Sequence, residues 1–168
     1  SYLIDWIPGQ EPPTLTFTYS SPGDTNGVFY YLGATKYNSS FQNPVNRGEI
    51  IVTASSTLGD DRTANKAFDR LNNGGSSSPG YVWHGNYENT GWIKIQFTNN
   101  KTFRLTDFEL LASSSHPLNS HMGQNCLMQG SNDNNTWTNL LTFYPNVGGN
   151  QRWYSNVLSN NTFYVYYR

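Results

Sequence analysis

Apolar and polar residues alternate with a period of two in several short stretches: Leu15-Thr-Phe-Thr-Tyr19, Trp92-Ile-Lys-Ile-Gln-Phe97 and Thr162-Phe-Tyr-Val-Tyr-Tyr-Arg168. Alternation puts successive side chains on opposite faces of an extended chain, so each stretch predicts a half-buried strand. Runs rich in β-branched and aromatic residues predict further strands at 28–32, 50–54, 103–112, 126–130, 137–143 and 152–157. Between them stand turn signals such as Pro22-Gly23-Asp24, Asn26-Gly27, Asn72-Asn73-Gly74-Gly75, Pro79-Gly80 and Gly148-Gly149-Asn150. A single helical turn is predicted, at 63–69. Many short strands with frequent turns and no long helical period make an all-β antiparallel sandwich or barrel. No internal repeat is visible.

With 168 residues the chain suits one domain with its own core. Pro8, Pro12, Pro13, Pro22 and Pro44 make residues 1–48 a loop-rich N-terminal extension that packs on the sandwich; residues 49–168 are the sandwich itself. The longest apolar runs, such as 28–32, are too short to span a bilayer. The opening Ser1-Tyr-Leu-Ile-Asp-Trp6 lacks the pattern of a signal peptide. Cys126 is the only cysteine, so neither an intrachain disulfide nor a cysteine zinc cluster can form. Only 12% of residues are charged and the net charge is -1, which argues against nucleic acid or anionic membrane as partner. Asn (22), Ser (17) and Thr (16) together make about a third of the chain. A surface of uncharged amides and hydroxyls suits partners of the same kind, and sugars are the obvious class.

From residue 50 onward the order of motifs becomes specific. Ile50-Ile-Val-Thr-Ala-Ser-Ser56 is followed by Asn65-Lys-Ala-Phe-Asp69, Val82-Trp-His84, Trp92–Phe97, Phe103-Arg-Leu-Thr-Asp-Phe-Glu-Leu-Leu111, Leu127-Met-Gln-Gly-Ser-Asn-Asp-Asn-Asn-Thr-Trp137 and the closing Phe163-Tyr-Val-Tyr-Tyr-Arg168. This order resembles the discoidin-like, coagulation-factor C-type (F5/8 type C-like) domains and the related galactose-binding-like carbohydrate-binding modules. The resemblance covers about residues 50 to 168. It implies an eight-stranded jelly-roll β-sandwich with ligands bound by loops at one end. It also places Trp83, Trp92 and Trp137 in the core, and Gly130 with Asn134-Asn135 in a hairpin needing φ > 0.

Candidate chemistry follows from three loops and a fourth. A sugar site needs an aromatic face and planar polar side chains for the hydroxyls. The loop 55–62 offers Asp61 and Arg62; 72–90 offers Trp83, His84 and Tyr87; 113–125 offers His116, Asn119 and His121; and 145–153 offers Arg152 and Trp153. The resemblance to galactose binders favours His116. It also implies a structural Ca²⁺ in the turn Asp69-Arg70-Leu71-Asn72-Asn73, with Asp69 and Asn72 as ligands, since Ca²⁺ takes hard oxygen donors. The chain departs from the family there: Arg70 stands where Gly is usual, and the usual acidic residue near the C-terminus is missing. No cofactor besides Ca²⁺ is implied. Arg168 is free to pair a carboxylate such as Glu109.

No Gly-x-Ser-x-Gly elbow occurs and the carboxylates are scattered, so no catalytic residue is assigned and the chain is expected not to be an enzyme. The expected function is a non-catalytic, lectin-like recognition module for cell-surface glycan. It would serve adhesion or receptor binding in an extracellular multidomain protein or a virion fibre. The alternative is a structural or oligomerisation module, with 28–32 as the subunit interface. Loop tips of Ser, Asn and Gly argue against membrane lipid as ligand.

Overall fold

The computed structural model describes residues 15–18, 20–21, 24–59, 62–70, 83, 85, 90–114 and 116–168. Seven strands lie among them: β1 (Ile50–Ala54), β2 (Ile93–Phe97), β3 (Glu109–Leu111), β4 (Cys126–Ser131), β5 (Thr138–Phe143), β6 (Arg152–Tyr154) and β7 (Tyr166–Tyr167). Five form an antiparallel sheet in the order β1-β2-β7-β4-β5; β3 and β6 pair as a second sheet. The architecture is an antiparallel β-sandwich, as the alternation predicts.

Register decides which side chains face inward. Ile50, Val52 and Ala54 sit opposite Phe97, Ile95 and Ile93, and Ile95 sits opposite Tyr167. Ile50, Phe97, Tyr164 and Tyr167 are buried in one cluster, with Val52, Ile95, Met128 and Leu140 packed against it. Full burial of such side chains contributes about 2–3 kcal/mol each. The alternate residues point outward, and Ile51 and Leu127 are exposed on that side. Between the sheets Trp153 of β6 stacks on Phe143 of β5 (4.8 Å, 23°), and Phe108 meets both rings.

Several expectations are corrected. Residues 28–32 are not a strand but belong to a helix, α1 (Val28–Gly33). Leu32 joins the buried cluster with Ile50 and Phe97, and Phe29 meets Phe68 edge-on at 4.9 Å. A short 3-10 helix at Thr35–Tyr37 follows, and the predicted turn at 63–69 is a 3-10 helix at Ala64–Phe68. The described part of 15–19 carries no strand. The span 103–112 keeps only β3, because its backbone groups find other partners. Phe103 bridges Tyr164, the Leu105 amide donates to the Tyr167 hydroxyl, and Asn160 Nδ2 donates to the Leu105 carbonyl. The Phe108 amide donates to Ser155 Oγ. With these groups satisfied, a regular ladder is not needed. Burial pushes the Tyr167 phenol up to about 12, so it serves as a neutral donor and acceptor.

Gly130 has a different reason from the one expected. It lies outside the positive-φ residues, where Asn134 (φ 60) turns the hairpin instead. A Cβ on Gly130 would stand 2.4 Å from Cδ2 of Tyr164, so glycine lets that ring close over β4. Arg168 does not pair Glu109. Arg152 makes that ion pair, and Arg168 donates to Gln129 Oε1 and lies over the Trp137 ring.

At the start of β1, Glu49 joins the N-terminal segment to the sheet. Its buried carboxylate accepts from Lys36 and Tyr37 and from Lys101 at 3.0 Å. Burial raises its pKa, yet the three donors outweigh burial and hold it at about 2.

Candidate functional site

The strand register brings four loops to one end of the sandwich. Ala54 at the end of β1 lies opposite Ile93 at the start of β2, and Cys126 at the start of β4 lies opposite Phe143 at the end of β5. Because Ile95 and Gly130 both pair with Tyr167, β2 and β4 run parallel and both hairpin ends lie on the same side. The segments after β1, before β2, between β3 and β4, and between β5 and β6 therefore converge.

His116, Asn119 and His121 share the β3–β4 connection, which makes one helical turn, α2 (Leu118–His121). That turn brings the imidazoles of His116 and His121 together, edge to face, with centroids 4.9 Å apart. His121 Nδ1 is 3.0 Å from the Pro117 carbonyl, which only accepts, so Nδ1 carries a proton. Ser113 Oγ accepts from the His116 amide at 3.1 Å and lies 3.3 Å from His116 Nδ1. Desolvation, helped by the charges of His121 and Arg62, holds the His116 pKa below the ordinary 6.5, so the ring is neutral at neutral pH. Arg62, from the loop after β1, is thereby placed within electrostatic reach of the pair.

The β5–β6 connection props up the β3–β4 loop. The Asn119 amide donates to the Val147 carbonyl, the Tyr144 hydroxyl to the Asn119 carbonyl, and the Asn150 amide to the Ser113 carbonyl. A Cβ on Gly149 would stand 2.5 Å from the Ser114 carbonyl oxygen, so the two loops touch through glycine.

The remaining candidates are placed as follows. Arg152 is tied to Glu109 at the start of β6. Trp153 belongs to the stack between the sheets. Trp83 is half-buried and its Nε1 donates to the Ser56 carbonyl at 3.3 Å, fastening the segment before β2 to the loop after β1. Asp61, His84, Tyr87 and Asn72 lie outside the described residues. Asp69 follows the 3-10 helix, and Arg70 adopts φ 60, the left-handed backbone for which glycine is usual. The Arg70 guanidinium lies 5.0 Å from the Tyr30 ring. Of this turn the described residues are Asp69 and Arg70 alone, so the Ca²⁺ expected there rests on residues outside them. Among the described residues, no group of three or more His, Cys, Asp or Glu is placed to hold a metal.

Two tryptophans expected in the core are not there. Trp92 and Trp137 are half-buried and line a depression of about 190 Å³ with Lys94, Asn134 and Arg168. It lies on the outer face of the five-stranded sheet. The sequence does carry a signal for it. Trp92 and Lys94 are two apart, hence on one face of a strand.

No protein-family description matches the chain, and no curated protein does. Solved structures do. The module CpGH89CBM32-6 of Clostridium perfringens aligns with a TM-score of 0.52 at 16% identity, over 75% of this chain and 85% of that one. CpGH89CBM32-5 of the same organism, solved with GalNAc-β-1,3-galactose, aligns at 0.51 and 16%, over 72% and 82%. A mutant of chitosan-binding module 1 from the chitosanase/glucanase of Paenibacillus sp. IK-5 aligns at 0.50 and 19%, over 70% and 77%. Together with the strand order and the converging loops, these alignments show that the chain has the β-sandwich fold of carbohydrate-binding modules.

Proposed function

We propose that the protein is a non-catalytic module that binds a cell-surface glycan through the loop end of its sandwich. The observation that carries this reading is the fixed pair His116 and His121, with Asn119 beside them and Arg62 in electrostatic reach. The neutral His116 imidazole and the amides exchange hydrogen bonds with sugar hydroxyls without the cost of desolvating an ion. The fold supports the reading, since similar structures include a module solved with GalNAc-β-1,3-galactose. Trp83, at the rim of the same end, is the aromatic surface offered to a pyranose face.

So small and polar a contact leaves little surplus over ordering and desolvation, so single-site Kd values of about millimolar to micromolar are expected. Avidity would come from several copies in an extracellular multidomain protein or a virion fibre, in adhesion or receptor binding. The structural alternative has less support. Leu32 is buried and Phe29 packs on Phe68, so part of 28–32 is spent on the chain's own core and only the partly exposed Tyr30 and Tyr31 are left for an interface.

A glycan array probed with the domain clustered on beads, in calcium and in EDTA, tests the proposal. Binding to a related set of glycans, lost in the double variant His116→Ala/His121→Ala, is the expected result. A blank array in both buffers, or binding unchanged in that variant, overturns it. Loss of binding in EDTA would establish the Ca²⁺ expected at Asp69 and Asn72; equal binding in both buffers would remove it from the site.

A further inference from the structure

We propose that the outer face of the five-stranded sheet holds a second binding site, for the anionic group of an acidic sugar. The site is the depression lined by Trp92, Lys94, Asn134, Trp137 and Arg168. Two cations enter it, each set against an indole. The Arg168 guanidinium is 4.1 Å from the Trp137 ring centre, and Lys94 Nζ is 5.4 Å from that of Trp92.

Both cations are held in place by neutral groups. Arg168 Nε donates to Gln129 Oε1 at 2.6 Å, and Gln129 Nε2 donates in turn to Asn139 Oδ1. Lys94 Nζ donates to Asn134 Oδ1 at 2.9 Å. Among the described residues, the ion pairs are those of Glu49 with Lys36 and Lys101 and of Glu109 with Arg152. Lys94 and Arg168 have no carboxylate partner there. Asp133, next to Asn134, turns its carboxylate into its own hairpin, where it accepts from Ser131 Oγ and from the amides of Asn135 and Thr136. Two preset positive groups with no carboxylate partner among the described residues favour an anion, and fixing them beforehand lowers the ordering cost of binding.

The rest of the lining narrows the ligand. Two indoles suit the C–H face of a sugar ring, and the amide of Asn134 suits a hydroxyl. The volume is below the ~300 Å³ at which pockets begin to enclose a drug-sized molecule, so it holds one ring with its neighbours running out along the sheet. With a net charge of -1 the whole chain does not attract polyanions, which points to a small acidic sugar and away from nucleic acid. Trp92 borders the loop end through its backbone bonds to Ser55, but none of the lining residues is a member of the His116–His121 group.

The test is a titration of the folded chain followed through its indole N–H resonances. Tri-galacturonic acid supplies a carboxylate, galactose 6-sulfate a sulfate, and galactose is the neutral control. Saturable shifts at Trp92 and Trp137 with either anionic probe, and not with galactose, are expected, and the probe that acts identifies the acid group. Lys94→Gln or Arg168→Gln should each weaken binding about tenfold. Arg104→Gln removes the same charge beside Phe163 and should change nothing. If Arg168→Gln does not fold, Lys94→Gln alone decides, since the Lys94 amine contacts only Asn134 and the Trp92 ring among the described residues. No shift at the two indoles with either acid, shifts equally caused by galactose, or equal weakening by Arg104→Gln overturns the proposal. The glycan array reads the loop end separately, so failure there and failure here are distinguishable.

Discussion

The two ends of the sandwich use polar side chains in opposite ways. At the base, where β1 begins and β2 ends, charges are met inside the chain. Glu49 takes three donors, and Asp133 is saturated by the hairpin it closes. At the loop end, among the described residues, the central groups are two imidazoles, that of His116 held neutral, an amide and backbone carbonyls, with Arg62 and Arg152 at the margin. A buried carboxylate with several donors fixes local structure, and removing one side of it is costly. Neutral groups exchange partners at low cost, which is what recognition of an uncharged ligand needs. If the loop end is the site proposed above, stability and recognition are assigned to opposite ends of one short strand set.

Breaking the base should have the largest effect on stability and none on binding. Glu49→Gln is expected to cost about 2 kcal/mol, a fall of roughly 4–8 °C in Tm, with glycan binding unchanged. Calorimetry against the bead assay checks both halves. The acid profile sharpens the point. The carboxyl sits at about 2 when folded and at 4.5 ordinarily, so its contribution is complete above 4.5 and drains away as pH falls toward 2. In Glu49→Gln that part of the profile should be flat.

At the other end, Gly149→Ala should do the reverse. Its Cβ would press on the Ser114 carbonyl, so the loops must part. Stability should drop by about 1 kcal/mol, while glycan binding is lost because the His116 loop moves. A variant with normal binding and a large fall in Tm would show that the two ends are not so divided.

The smallest effect concerns His116. Its folded pKa lies below the ordinary 6.5, so the unfolded chain takes up the proton first. Stability is therefore full above 6.5 and declines, by less than about 1 kcal/mol, as pH falls through the folded value. Glycan binding should weaken over the same window as the ring becomes charged. His116→Gln should remove the dependence, and a ring titration by NMR should place the midpoint below 6.5.

Much of the sandwich was legible in the sequence. β1, β2, β4 and β5 sit where alternation and turn signals put them, since each has one buried and one solvated face. Val28-Phe-Tyr-Tyr-Leu misled because every position is apolar or aromatic; such a run carries no period, and tertiary contacts of Phe29 and Leu32 chose a helix. The pairing of His116 with His121 was within reach, five residues apart, but it needed the α2 turn to bring the rings face to edge. The Glu109–Arg152 pair was out of reach, because it depends on cross-strand register; of the outer depression only the Trp92–Lys94 spacing could be read, since Asn134, Trp137 and Arg168 join it across strands. The resemblance places Trp92 and Trp137 in the core, but a position matched by motif order does not reveal which face of this sheet the side chain occupies.

The place of β7 in the sheet has a consequence for how the protein is made. β7 is two residues long, follows every other strand in the chain, and lies in the middle of the five-stranded order, joining β2 to β4. As the chain leaves the ribosome, the pairs β1–β2 and β4–β5 can each form, but nothing joins them until Tyr166 and Tyr167 emerge. During synthesis the nascent chain therefore presents two half-sheets with open inner edges, and these are the surfaces a chaperone would meet.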